Sequence, residues 1–236
     1  TSNVERMINN YNQAVASGET SETVSKNPMK VAWNRSLLKD LDLKKPLEFS
    51  AKALRTGIYR PFTRQTVYFN RALNDMIYQL PQLFPTPAQP NLAFSVKQAA
   101  SPLPFGVLMA ADLPDLSVQG ASSGCQIFSL YTWEPVPDSE PDELALFGGD
   151  QDSSDSAANA DGDAENQTFD FSEPIGEQVP MWIDGYQRRD NITDATLASY
   201  RAHYGEGVSG ESEQITKEDI FFYVYALLHH PGYRER

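Results

Sequence analysis

The chain has 236 residues, 19 Lys/Arg against 32 Asp/Glu for a formal net charge of -13, 40% hydrophobic residues and one cysteine. This length suffices for one large or two small domains with a sizeable core. A single cysteine excludes an internal disulfide and any CxxC metal framework. No apolar run approaches the roughly 20 residues of a membrane helix, and no basic-then-apolar signal opens the chain, so a cytoplasmic setting is expected.

The acidity is uneven. Residues 1 to 110 hold 13 Lys/Arg against 7 Asp/Glu, whereas the rest holds 6 against 25, so the two parts carry +6 and -19. Glu134 to Glu173 contains 13 acids and no base. The first residue is not Met, and the last four follow directly on an amphipathic run, as expected of a piece of a longer polypeptide.

Val4, Met7, Ile8, Tyr11 and Val15 recur at helical spacing and predict a helix over Val4 to Ala16, stopped by Gly18. Lys30 to Trp33 reads as a short strand, and Arg35 to Leu43 as a short helix with Leu37, Leu38 and Leu41 inward. Ser50 is expected to cap a helix that Gly57 ends. Thr66 to Asn70 alternates β-branched and aromatic residues and predicts a strand. Leu73 to Leu83, closed by Pro81 and Pro85, predicts a helical turn and then loop. Leu92 to Val96, Phe105 to Met109 and Gln126 to Trp133 are further strands between Pro, Gly and Ser.

Pro135 to Pro174 has the composition of an unfolded insert, with disorder expected over 150–167. Thr193 caps a helix ending at Gly205. Thr216 to His229 is a helix that opens on a capping box with Asp219 in the usual Glu place, and Ile220, Phe221, Val224, Leu227 and Leu228 form its apolar face. The expected fold class is α+β, with a mixed central sheet, flanking helices, a C-terminal helical segment and one long acidic insert.

Tyr59 to Arg71 carries the chemistry. Arg60, Arg64 and Arg71 alternate with Tyr59, Phe62, Tyr68 and Phe69 in thirteen residues. Guanidinium forks suit phosphate pairs or the guanine edge, and Gln65 can read adenine through two bonds. Arg35, Lys39, Lys44, Lys45, Lys52, Arg55 and Lys97 add the charge that non-specific affinity requires. The alternative is that these arginines cover a sheet edge and pair with carboxylates such as Asp75. Tyr59, Pro61 and Phe62 are expected in the core.

The remaining candidates have plainer readings. His229-His230 fits helix capping rather than metal binding, since adjacent helical side chains diverge. Cys125 reads as a small buried residue, and Asp112 with Asp115 as a turn with side-chain caps. Phosphate-loop, nucleophile-elbow and zincin signatures do not occur in the sequence.

Several blocks, in order, resemble one family. They are Trp33-Asn34-Arg35-Ser36-Leu37-Leu38-Lys39-Asp40-Leu41, then Tyr59-Arg60-Pro61-Phe62-Thr63-Arg64-Gln65 with Tyr68-Phe69, Pro114-Asp115-Leu116, Cys125-Gln126-Ile127-Phe128-Ser129-Leu130-Tyr131, and Ile215 to Tyr225 through Arg236. Together they are similar to the C-terminal target-recognition region of Type ISP restriction-modification enzymes, with Ser129 where that family usually has Pro.

The resemblance implies a double-stranded DNA partner and a domain that presents an adenine to a methyltransferase in the same polypeptide, beside a helicase-like translocase, a coupler and a nuclease. It implies no catalytic residue, metal or cofactor in this chain, and S-adenosylmethionine, ATP and Mg for the complete enzyme. Residues 1–50 are then a link from the methyltransferase edge and 51–236 the recognition domain. Arg35, Lys52, Arg55, Arg60, Arg64, Gln65, Arg71, Lys97 and Gln98 are the candidate DNA contacts. Two other readings are an intramolecular docking module for the methyltransferase or coupler, and a freestanding hydrolase using Cys125 or the Asp112/Asp115 pair.

Overall fold

A computed structural model describes residues 2–97, 102, 104–120, 124–136, 169–204 and 214–234. The expected insert at 150–167 and the candidate Gln98 lie outside the described residues. The chain divides into two units: Thr1–Arg55 with Thr66–Gln79, and Thr56–Gln65 with the described residues after 79.

The first unit is built on α1 (Ser2–Ala16) and α2 (Arg35–Asp42). Ile8, Tyr11 and Ala14 bury one face of α1, and Tyr11 joins Val24, Val31, Leu37 and Leu41 in one core. Gly18 ends the α1 turn at φ +72, a conformation open to glycine without penalty. Asn34 caps α2: its Oδ1 accepts from Leu37 N–H, while its Nδ2 donates to Ala72 O, both at 2.8 Å. That double role explains an asparagine directly before the Arg-Ser-Leu-Leu run.

Lys30 to Trp33 is not a strand. Lys30 and Val31 N–H turn back onto Asn27 O, and Val31 packs into the core, so no ladder is available to extend it. The helix expected from Ser50 is reduced to a 3-10 turn, Ala51–Ala53. Its continuation is drawn into β1 (Leu54–Arg60), where Ile58 and Tyr59 favour the pleat and Gly57 is a buried strand position rather than a helix stop. Leu73 to Leu83 forms turns first, and the helix α3 (Leu80–Leu83) comes last, with Pro81 in its first turn where a missing N–H costs little.

The strands form three small sheets rather than one central sheet, so the α+β class holds while the sheet is divided. Only the first is mixed, in the order β2-β1-β5: β2 (Thr63–Tyr68) and β5 (Leu113–Pro114) flank β1, and β5 runs parallel to it, with Gly57 opposite Leu113. The second, β4-β3-β6, pairs β3 (Ala93–Lys97) antiparallel with β4 (Val107–Ala110) and β6 (Cys125–Ser129). The third, β7-β9-β8, joins β7 (Tyr131–Pro135), β9 (Tyr186–Asp190) and β8 (Trp182–Ile183).

The strand expected over Gln126 to Trp133 is therefore two strands. They part at the buried Leu130, where the chain leaves the second sheet for the third. Asn91, wholly buried, fixes the departure: its Oδ1 accepts from Tyr131 N–H at 3.1 Å and its Nδ2 donates to Tyr131 O and Leu83 O, each at 2.8 Å.

The second unit's core gathers Leu92, Phe94, Leu130, Tyr131 and Trp133 with Ile175 and Val179, contributed by and next to α4 (Ile175–Gln178), and Phe221 of α6 (Lys217–His229). Phe221 and Tyr225 set their rings 5.1 and 5.9 Å from Phe94, which seats α6 on the second sheet. Ile220 and Phe221 are buried as the helical spacing predicts, but Leu227 is exposed. At the α6 start, the Glu218 carboxylate accepts from the N–H groups of Ile175 and Gly176 and from the Tyr131 hydroxyl. Buried Arg188 donates to Gly176 O and Val179 O and lies over the Tyr131 ring. Burial and then the Glu218 charge push the Tyr131 phenol well above its ordinary value. The remaining helices are α5 (Asp194–Tyr204) and α7 (Pro231–Arg234).

Candidate nucleic-acid interface

Strands β1 and β2 are joined by two residues, Pro61 and Phe62. Proline at the first corner and a left-handed residue at the second, Phe62 with φ +65, follow the type II turn pattern. The expectation that Tyr59, Pro61 and Phe62 are core is overturned: Tyr59 is 43% exposed, Phe62 is 96% exposed, and Pro61 is also exposed. The core aromatics of the motif are Tyr68 and Phe69 instead. Tyr68 Oη accepts from Ser50 N–H at 2.9 Å and its ring stacks on Phe49, while Phe69 N–H donates to Ala53 O at 2.7 Å.

Thr63, Arg64, Gln65 and Thr66 are all exposed, so the first four of the six residues of β2 offer their side chains to solvent. Arg64 Nε donates to Asp112 Oδ2 at 2.7 Å, with the arginine side chain 51% exposed. Its two Nη groups have no hydrogen-bond partner among the described residues. Arg60 is more constrained: Nη1 donates to Ser117 O at 2.9 Å and the guanidinium lies 4.4 Å from the Tyr59 ring centre. A cleft of about 370 Å³, lined by Ile58, Phe62, Thr63, Arg64 and Leu108 to Ala111, opens beside this hairpin.

Other candidates are distributed differently. In the first unit Arg35 pairs with Asp75 at 3.3 Å, and Arg71 is exposed with no ion pair among the described residues. Arg55 is buried, its Nη1 donating to Lys52 O, and Lys52 is exposed. In the second unit Lys97 Nζ donates to Pro104 O at 3.0 Å. The structure thus gathers Arg60, Arg64 and Gln65 on one hairpin and holds Arg55 inside the fold.

Phe62 at the hairpin tip escaped the sequence reading, although Pro61 before it was a usable turn signal. Asp112 is the arginine's partner rather than half of an acid pair, while Asp115 does cap a turn, accepting from Ser117 N–H at 2.8 Å. Cys125 is buried on β6, and His229 packs its ring against Tyr225, as expected. Lys217, at the α6 start, is held by Asp190 and Asp194, whose bonds raise the ammonium pKa and lower that of Asp194. Among the described residues no group of three or more His, Cys, Asp or Glu could hold a metal ion, and no helix is long and apolar enough to cross a membrane.

The β1–β2 hairpin thus presents Tyr59, Phe62, Arg64 and Gln65 to solvent on a divided α+β scaffold. The model of the Type ISP C-terminal specificity domain matches residues 1–236, and the chain belongs to that family. Three solved structures are similar to it. The cryo-EM structure of a DrdV-DNA complex is 25% identical with TM-score 0.66, over 98% of this chain and 17% of that one. The ATP-dependent Type ISP restriction-modification enzyme LlaBIII bound to DNA is 20% identical with TM-score 0.65, over 99% and 12%. A nuclease-deletion mutant of the Type ISP enzyme LlaGI in complex with a DNA substrate mimic is 22% identical with TM-score 0.62, over 99% and 16%. The chain therefore spans less than a fifth of each of those chains. No curated protein matches it.

Proposed function

We propose that this chain recognises a double-stranded DNA target for a single-polypeptide restriction-modification enzyme. It presents a target adenine to a methyltransferase domain, which flips it out for methylation, and licenses the translocase and nuclease. S-adenosylmethionine, ATP and Mg serve those other domains, in the cytoplasm. Carrying this reading is the β1–β2 hairpin, where Arg64 and Gln65 stand in solvent on a member of the specificity-domain family. Arg64 supplies a guanidinium edge for guanine or phosphate, and Gln65 an amide for adenine. Arg60, Arg35, Arg71, Lys52 and Lys97 set the register through phosphates, with Gln98 next to Lys97 in sequence. Arg55 acts from within, holding Lys52 in place.

The test is the salt dependence of duplex binding. Log affinity of the chain is expected to fall linearly with log salt, and Arg64→Ala to make the slope shallower by about 1. A flat response of the unsubstituted chain would sink the reading. The pairs Arg64–Asp112 and Arg35–Asp75 favour one competitor, a docking surface for another domain of the same polypeptide. Unchanged duplex affinity and slope in an Arg60/Arg64 double alanine variant would select docking.

A further inference from the structure

We propose that Phe62 is a stacking wedge, inserted against the bases of the duplex when the hairpin engages DNA. The inference rests on the DNA-recognition reading and adds a contact that arginine and glutamine chemistry does not supply. Three observations carry it.

Phe62 is 96% exposed, more than any other large hydrophobic residue described, at a position where burial would be favoured. Its backbone is left-handed at φ +65, which a glycine would occupy without cost and a bulky side chain occupies only at an energetic penalty. Both costs could be removed by one substitution, so the ring is kept for something outside the described fold. Finally, the ring stands at the tip of a two-residue turn and lies in sequence between Arg60, whose Nη1 holds Ser117 O, and Arg64, whose Nε holds Asp112 while its two Nη groups have no hydrogen-bond partner among the described residues. Met76 and Tyr78 share the left-handed backbone, but they follow the carboxylate Asp75 rather than lying between arginines.

An exposed apolar ring with arginines close by in the chain is the chemistry by which proteins unstack a base step or lie on a base face. Every base has a π-face, so the contact tolerates sequence and contributes affinity and DNA deformation rather than direct readout. It also differs from a phosphate contact in carrying no charge, which gives the experiment its sign.

The experiment measures binding of a fluorescein-labelled random-sequence duplex by the unsubstituted chain and by Phe62→Ala, Phe62→Gly and Phe62→Trp, across a salt series, with thermal midpoints for each. Phe62→Ala is expected to weaken binding about tenfold at every salt concentration, leaving the log–log slope unchanged because no counterion-releasing charge is lost. Phe62→Gly relieves the left-handed strain, so its thermal midpoint is expected to equal or exceed that of the unsubstituted chain, while its affinity falls as far as that of the alanine variant. Phe62→Trp is expected to retain affinity and to show, after subtraction of the response of Trp33, Trp133 and Trp182 in the unsubstituted chain, indole emission quenched on adding duplex.

Glycine and alanine variants that bind as tightly as the unsubstituted chain, or a tryptophan whose emission ignores DNA, would overturn the wedge and leave the arginine reading standing. No duplex binding by the unsubstituted chain would overturn both. A thermal midpoint that falls markedly in Phe62→Ala, which keeps the left-handed backbone cost and removes only the ring, would show that the ring packs within the protein, which also defeats the proposal.

Discussion

Tyr11 shows how much one side chain in this fold depends on a distant partner. Its ring is buried in the first unit and its hydroxyl donates to Lys45 O at 2.8 Å. Burial, with a smaller contribution from the Asp40 charge, pushes the phenol up from 10.0 to about 12. The folded state thus holds the proton more tightly than the unfolded chain does. That stability is fully present below pH 10.0 and is lost as pH rises through about 12. Tyr11→Phe is expected to cost about 1 kcal/mol at neutral pH through the lost hydrogen bond. It should also flatten the loss of stability between those two pH values, read by urea unfolding at a series of alkaline pH values. The helical spacing already marks Tyr11 as buried, but nothing local marks Lys45, 34 residues away. Phe62 shows the opposite failure: an aromatic is read as core by default, and only the turn geometry reveals that it points out.

At the scale of elements, what survives from sequence to structure is what local chemistry decides. The α6 capping box forms as its residues dictate: Thr216 Oγ1 accepts from Asp219 N–H at 3.1 Å and Asp219 Oδ2 accepts from Thr216 N–H at 2.8 Å. Thr216→Ala is expected to lower stability by about 1 kcal/mol, seen as a lower denaturant midpoint with the slope of the transition unchanged. Helices α1, α2 and α5 are legible for similar reasons of spacing and caps. What fails is what pairing decides. Lys30 to Trp33 has strand-like residues but no partner, and Ser50 onward has helix-like residues but two strand neighbours. The break at Leu130 depends on Asn91, a buried amide 40 residues from the Tyr131 backbone it clamps. Arg60, Arg64 and Gln65 are legible as a cluster because they are contiguous; the pairing of Arg64 with Asp112, 48 residues on, is not.

For the molecule as a whole, charge is the governing quantity. A net charge of -13 repels a polyanion at long range, while the basic side chains attract it at contact. At about 0.1 M salt the Debye length is about 10 Å, so screening weakens the distant repulsion during approach and the close attraction in the complex alike. Those effects offset one another in the encounter. We expect the association rate of the chain with duplex DNA to change little with salt and the dissociation rate to carry most of the dependence, measurable by stopped-flow. An association rate as steep in salt as the equilibrium constant would contradict this balance.

The exposed run Thr63 to Thr66 on β2 is open to substitution. Its side chains lie outside the buried cores, and only Arg64 among them has an ion pair described within the fold. Substitutions there change what the hairpin touches at little cost to folding, whereas Tyr68 and Phe69, a few residues on, are locked by packing. Exposed and buried positions therefore lie within a few residues of each other, and single replacements at Thr63 to Thr66 are expected to leave the packing of Tyr68 and Phe69 undisturbed.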